Sequence, residues 1–72
     1  MAKKDFIVCL NLLVGAYPGK FAITDENMID VWYRFLGDLE NKVLWAVIYE
    51  YIQESKYPPA ISDLLERAKE FE

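Results

Sequence analysis

The sequence contains no histidine and a single cysteine, Cys9. Histidine is the usual acid–base group near neutral pH and the commonest protein ligand for metals, so most catalytic and metal sites lack their usual residue here. One cysteine excludes an internal disulfide and a zinc site built from several cysteines. Because Cys9 lies within an apolar run, we expect a buried and unreactive thiol.

Glycine and basic residues are also scarce. Three glycines, Gly15, Gly19 and Gly37, stand singly, so the chain has no glycine-rich phosphate-binding loop. Twelve acidic residues outnumber eight basic ones, and the net charge of −4 opposes non-specific attraction to nucleic acid or to an anionic membrane. Pairs of carboxylates occur, but they lie on the polar strips of separate helices. We therefore predict no catalytic residue, no metal, no cofactor and no direct binding to nucleic acid; the protein is not expected to be an enzyme.

Long hydrophobic runs are missing as well. The apolar segments 6–10 and 12–14 are too short to span a bilayer, and no signal-peptide cleavage site follows them, so we expect a cytoplasmic protein without membrane contact. Yet 54% of the 72 residues are hydrophobic and 15% are aromatic. A chain of this length buries only about 60% of its unfolded surface. Some apolar surface is therefore expected to be covered by a partner or by a second copy.

The spacing of apolar residues predicts an all-α fold of four short helices in one domain, residues 1–72. Apolar residues of the third helix, 41–55, cover an arc of roughly 200°, so this helix needs neighbours on two sides and is expected to be central. The other helices are predicted over 4–16, over 25–36, and from Ile61 or Asp63 to the end.

Turn and cap residues set these boundaries. Pro18 and Gly19 are typical of a type II turn in which Gly19 has a positive φ. Thr24 is the expected N-cap of the second helix, and Gly37 is expected to end it. Tyr57 precedes two prolines that stop the third helix, and we expect its ring to pack inward.

Each of the other helices is predicted to have a core face. These faces comprise Phe6, Leu10, Leu13 and Tyr17 in the first helix, Met28, Ile29, Val31, Trp32, Phe35 and Leu36 in the second, and Ile61, Leu64, Leu65, Ala68 and Phe71 in the fourth.

Five apolar or aromatic residues lie outside the best core faces: Val8, Leu12, Tyr33, Trp45 and Tyr49. Tyrosine and tryptophan are typical interface anchors, because they bury large areas at a small entropic cost. We predict that these five residues form a partner-binding surface ringed by acidic side chains. Two alternatives stay open: Trp45 packs between the third and first helices, and the other helices cover the stripe that contains Val8 and Leu12.

The order of these features resembles a known family. An apolar helix runs into a Tyr-Pro turn at 16–18, a second helix carries Val-Trp-Tyr-Arg-Phe-Leu at 31–36, and Ser-Lys-Tyr-Pro-Pro-Ala-Ile-Ser-Asp-Leu at 55–64 follows the central helix. Over nearly its whole length the chain resembles the N-terminal domain of the phage replicative-helicase loader/inhibitor family. Ala60 departs from the pattern, because a serine or threonine cap would be expected there.

The resemblance implies a non-catalytic protein of phage DNA replication. Such a protein binds the hexameric replicative helicase, holds it inactive and delivers it to an origin-bound initiator protein in the cytoplasm of the bacterial host. We expect a monomer or a weak dimer. The alternative is a homo-oligomeric structural or adaptor protein of helices with no role in replication. Family members also carry a flexible segment after the helical domain, so the chain is either complete or the folded N-terminal part of a longer protein.

Overall fold

The computed structural model describes residues 2–71, and that range contains four α-helices. They are α1 (Lys3–Ala16), α2 (Glu26–Leu36), α3 (Asn41–Glu54) and α4 (Ile61–Glu70). The predicted all-α fold is confirmed, the boundaries of α1, α2 and α3 lie within one residue of those predicted, and α4 begins at Ile61 but ends at Glu70. Within the described range, no helix is both long enough and apolar enough to cross a membrane.

The helices pack as a closed ring in the order α1, α3, α4, α2. The two largest interfaces between helices are those of α3 with α1 and with α4, as expected for a central helix. Each helix therefore turns one flank toward each of its two neighbours. We call the boundary between α1 and α3 the α1/α3 seam, and the boundary between α3 and α4 the α3/α4 seam.

One cluster of buried apolar side chains holds the ring together. Its members are Phe6, Cys9, Leu10, Leu13, Tyr17, Phe21, Leu36, Leu44, Val47, Ile48, Tyr51, Leu64 and Ala68. The predicted burial of Cys9 is confirmed, and desolvation raises the pKa of its thiol. The Tyr17 hydroxyl donates a hydrogen bond of 2.9 Å to the carbonyl oxygen of Ser55. This bond therefore brings the C-terminal ends of α1 and α3 together.

The rotation of α2 about its axis differs from the prediction. Its inward residues Ile29, Trp32, Tyr33 and Leu36 follow the spacing i, i+3, i+4, i+7, and Met28, which was also predicted in the core face, packs against the core as well. The ring of Tyr33 meets the ring of Phe6 edge-on, with 5.2 Å between their centroids. Val31 and Phe35 were predicted in the core but are 38% and 53% exposed. The six apolar residues of α2 span too wide an arc for all of them to face the core, and contact with α1 selects the Tyr33 side.

Three further local predictions are wrong. Asp25 caps α2 in place of Thr24, because its Oδ1 accepts a hydrogen bond of 3.0 Å from the backbone N–H of Met28. Tyr57 is 67% exposed and lies below the Lys20 ammonium group, whose Nζ is 5.3 Å from the ring centroid. Phe71 is 44% exposed, because it follows the last residue of α4, where little of the bundle remains to cover it.

The turns are as predicted where glycine is required. Gly19 has a φ of +77°, as position i+2 of a type II turn requires. Gly37 ends α2, and a Cβ at this position would lie 2.5 Å from the carbonyl oxygen of Tyr33, so no larger residue fits without movement. The carboxylate of Asp63 accepts a hydrogen bond of 2.9 Å from the Ala60 N–H, which fixes the earlier of the two predicted starts of α4.

Candidate protein-binding surface

Trp45 and Tyr49 form an aromatic pair on the outer side of α3. They are one helical turn apart, and their rings stack with a centroid distance of 5.6 Å and an interplanar angle of 27°. Trp45 is half-buried and packs against the core, whereas Tyr49 is 51% exposed. Stacking on Trp45 holds the Tyr49 ring in one orientation, which lowers the entropic cost of contacting a partner.

Val8 and Leu12 lie one turn apart on α1. Val8 is 51% exposed, and Leu12 is half-buried against the core. The flank of α1 that carries Ile7 faces α2, because Ile7 and Ile29 line the same cavity of about 190 Å³. Leu12 lies about 140° from Ile7 around the helix, on the other flank. In the ring of helices that flank faces α3.

The same reasoning places the aromatic pair. The flank of α3 that carries Glu50 faces α4, because Glu50 is bonded to Arg67. Trp45 lies about 140° from Glu50 around α3, on the flank that faces α1. The flank argument therefore places Leu12 and Trp45 at the α1/α3 seam, and half-exposed Val8 and Tyr49 lie beside them on the outer faces of α1 and α3. Tyr33 is not among them, since its ring packs on Phe6 between α1 and α2.

The α1/α3 seam is free of formal charge along most of its length. Residues 6–19, which make up most of α1 and its turn, contain no charged side chain, and neither do residues 43–49 of α3. Charged residues occur only toward its ends, with Lys4, Asp5 and Lys42 at one end and Lys56 at the other. The predicted ring of acidic residues is therefore not found around these four side chains.

The acidic side chains gather instead at the α3/α4 seam. A groove of about 370 Å³ is lined there by Arg67, by Tyr51 and by five carboxylates, those of Glu50, Glu54, Asp63, Glu66 and Glu70. Arg67 Nη1 donates to Glu50 Oε1 at 2.9 Å and to Glu54 Oε2 at 2.6 Å. Its guanidinium carbon lies 5.1 Å from the centroid of the Tyr51 ring.

These contacts give the groove a structural role. The hydrogen bond to Glu54 is the main cause of the raised pKa of Arg67, which means that the two carboxylates stabilise the charged guanidinium. No group of histidine, cysteine or acidic residues within the described chain is arranged to hold a metal ion. Glu50 and Glu54 therefore connect α3 to α4 through Arg67.

Four exposed apolar residues were missed from the sequence: Val31, Phe35, Tyr57 and Phe71. Phe71 lines a cleft of about 440 Å³ with Leu39 and Val43, and Asp38, Glu40 and Lys42 complete its walls. The sequence does contain a signal for the exposure of Val31 and Phe35. Residues 29, 32, 33 and 36 have the spacing of an alternative core face of α2, and that face excludes both side chains. The sequence carries no comparable signal for Tyr57 and Phe71, which follow helix ends.

Comparison with known proteins gives two matches and one absence. The structure is similar to that of a truncated variant of the helicase loader/inhibitor protein of the B. subtilis phage SPP1, with 31% sequence identity and a TM-score of 0.80. That match covers 89% of this chain and 97% of the other chain. Residues 1–65 match the family model for the N-terminal domain of the same loader/inhibitor protein. Among curated proteins, none matches the sequence.

Proposed function

Because this chain belongs to the family of the SPP1 phage helicase loader/inhibitor protein, we propose that it binds a hexameric replicative DNA helicase and holds it inactive. It then delivers the helicase to an initiator protein bound at the replication origin. The action is stoichiometric protein binding without catalysis, in the cytoplasm of a bacterial host. Residues 1–72 bind the helicase as a single helical domain, and this domain is a monomer or at most a weak dimer.

One observation on this chain supports protein binding in addition to its family membership. The protein has a net charge of −4, yet half-exposed Val8 and Tyr49 lie on a stretch of surface without formal charge. Together with Leu12 and Trp45 they form an apolar patch, and contiguous apolar patches on small domains are typical sites of contact with another protein. We propose that partner binding uses the predicted residues Val8, Leu12, Trp45 and Tyr49, and that Tyr33 supports this surface indirectly through its contact with Phe6.

The test of helicase binding uses the purified protein and a purified hexameric replicative helicase from the phage or its host. Light scattering after gel filtration should give a mass near 8.4 kDa for the free protein and a larger complex when the two are mixed. Unwinding of a forked DNA by the helicase should fall as the protein is added and should level off at stoichiometric amounts.

A duplex DNA of the same length, without helicase, is the control. Binding to this DNA with micromolar affinity at physiological salt, together with no binding to helicase, would overturn the proposal. A stable oligomer of the free protein would favour the alternative of a structural subunit.

Delivery needs a separate test, because inhibition alone does not require it. The inhibited helicase complex is mixed with the initiator protein on DNA that contains the origin. Unwinding should resume only when both the initiator and its binding site are present. Unwinding that resumes without the initiator would leave the protein an inhibitor and remove the loading step from the proposal.

A further inference from the structure

The position of α2 in the ring differs from that of the other helices. Among residues 2–71, the two largest interfaces between helices are those of α3 with α1 and with α4, and α2 takes part in the two smaller ones. Detaching α1, α3 or α4 breaks at least one large interface, whereas detaching α2 leaves both intact. We propose that α2 is a lid, which opens as a unit while α1, α3 and α4 stay packed on one another.

Burial within α2 is low for a helix of its length. In the described part of the chain, α2 has one buried residue among its 11, Leu36, whereas α1 and α3 have four buried residues each among 14. The other inward side chains of α2, those of Ile29, Trp32 and Tyr33, are partly buried. Because apolar burial is the main interaction that holds a helix on its neighbours, α2 needs less free energy to detach than α1 or α3.

The polar contacts of α2 and α4 differ in the same direction. α4 has two buried residues among ten, and its Arg67 also donates hydrogen bonds to Glu50 and Glu54 of α3. An ion pair between Lys3 and Asp30 joins α1 to α2, and both of these side chains are 52% exposed. Half-exposed ion pairs contribute little to stability, because water screens them. The contacts of α2 are therefore weaker than those of the α3/α4 seam.

The packing between α1 and α2 is also incomplete at one end. The cavity of about 190 Å³ lies there, and Lys3, Ile7, Glu26 and Ile29 line it. Side chains that border a void lose the attractive contacts that they would make with atoms on that side. The void therefore lowers the free energy that detaching α2 costs.

Both connections of α2 are suited to act as hinges. Residues 22–25 and 38–40 lie outside the helices, and most of their side chains are exposed. The chain is anchored before the first connection by buried Tyr17, which is bonded to Ser55, and after the second by buried Leu44. Rotation at the two connections can therefore move α2 without moving α1 or α3.

Opening of the lid changes the surface of the domain. The ring of Phe6 meets that of Tyr33 at a centroid distance of 5.2 Å, and the ring of Phe21 meets that of Trp32 at 5.4 Å. Both phenylalanines are buried in the closed form. Detaching α2 removes these partners, so the open form exposes aromatic surface that the closed form hides.

Native-state hydrogen exchange of the purified protein tests the lid, with NMR detection at urea concentrations below the unfolding transition. Amides 30–36 of α2 should exchange together, at least about 30-fold faster than amides 47–51 of α3. Their rates should depend weakly on urea, because a local opening exposes little surface. Equal rates in the two helices, or fast exchange confined to amides 30–32 at the frayed end of α2, would overturn the proposal.

Arg67→Met separates opening of α2 from unfolding of the whole bundle. The contacts of Arg67 persist when the lid is open and break when the bundle unfolds. At low salt the variant should therefore speed exchange in α3 about fivefold and leave exchange in α2 unchanged. Lys69→Met, at an exposed position of the same helix, is the control and should change neither rate. If Arg67→Met speeds both helices equally, α2 opens only with the whole bundle and the proposal fails.

Ile29→Ala gives the complementary result. Its partly buried side chain lies between α1 and α2, so both lid opening and global unfolding break its contacts. The variant should speed exchange in α2 and α3 by the same factor, about tenfold. Val31→Ala, at an exposed position of α2, is the control and should change both rates by less than about threefold. If Ile29→Ala leaves exchange in α2 unchanged, the fast motion does not detach α2 from α1, and the lid is excluded. All of these measurements use the free protein, so their outcome is independent of helicase binding.

Discussion

On its α4 side, α3 adds charged contacts to its apolar packing, whereas on its α1 side the apolar packing is joined only by the hydrogen bond from Tyr17 to Ser55. At the α3/α4 seam, Arg67 already satisfies Glu50 and Glu54 and covers the Tyr51 ring. At the α1/α3 seam, Val8 and Tyr49 remain half-exposed. One flank of the helix thus completes its contacts within the chain, and the other leaves apolar area for a partner.

The largest effect should come from removing a residue on which both sides depend. Ile48 is fully buried at the centre of α3. Ile48→Ala deletes buried methyl and methylene groups and leaves a cavity, so we expect the free energy of unfolding to fall by about 3 kcal/mol. Urea unfolding followed by circular dichroism measures this loss. A loss below about 1 kcal/mol would mean that the helices close around the gap and that α3 does not anchor both seams.

The apolar side alone is tested by Trp45→Ala. Its half-buried ring should contribute less than a fully buried tryptophan, and we expect a loss of about 2 kcal/mol in the free energy of unfolding. Helicase affinity is measured on the same folded sample, with Trp32→Ala as the control for general loosening of the bundle. If Trp45→Ala unfolds the domain, Trp45 is a core residue and has to be removed from the binding surface.

The charged side alone is tested by Arg67→Met, which keeps an apolar stem and removes the guanidinium group. Two partly exposed ion pairs and one cation–π contact together predict a loss of about 1 kcal/mol in the free energy of unfolding at low salt. High salt should shrink the difference from wild type. Lys69→Met, at an exposed position of the same helix, is the control. A loss that is independent of salt would assign the effect to the contact between the guanidinium group and the Tyr51 ring, not to the ion pairs.

The smallest effect is expected beyond the end of α3, at Tyr57. The exposed ring contacts the Lys20 ammonium group, and an exposed cation–π pair contributes about 0.5 kcal/mol. Tyr57→Ala should therefore lower the free energy of unfolding by about that amount, and Tyr57→Phe by less. A loss near 3 kcal/mol in thermal or urea unfolding would show that the ring is buried in solution.

The sequence predicted helix positions well, because caps, prolines and apolar spacing are local signals. In α1, Phe6, Leu10 and Leu13 leave one choice of core face, and that choice is confirmed. In α2, two overlapping faces share Ile29, Trp32 and Leu36, and local spacing does not separate them. The choice depends on where Phe6 of α1 lies to receive Tyr33.

The candidate surface was predictable to the same extent. Exposure of Val8 and Tyr49 follows from their angle around a single helix. That α1 and α3 are neighbours depends on the ring order of the whole bundle. The position of Tyr57 likewise depends on the turn at Lys20, which is 37 positions away along the chain. The binding role of the five predicted residues, Val8, Leu12, Tyr33, Trp45 and Tyr49, stays a prediction.

The buried thiol of Cys9 is a built-in probe of how often the helical bundle opens. Only the thiolate reacts with disulfide reagents, and burial raises the thiol pKa, so labelling has to wait until α1 leaves the core. The labelling rate of the unmodified chain therefore reports how often the bundle opens. Any partner that binds only the closed bundle slows that rate by the factor 1 + [L]/Kd. Helicase affinity can thus be read from the rate at which one native sulfur reacts, without a dye or a tag.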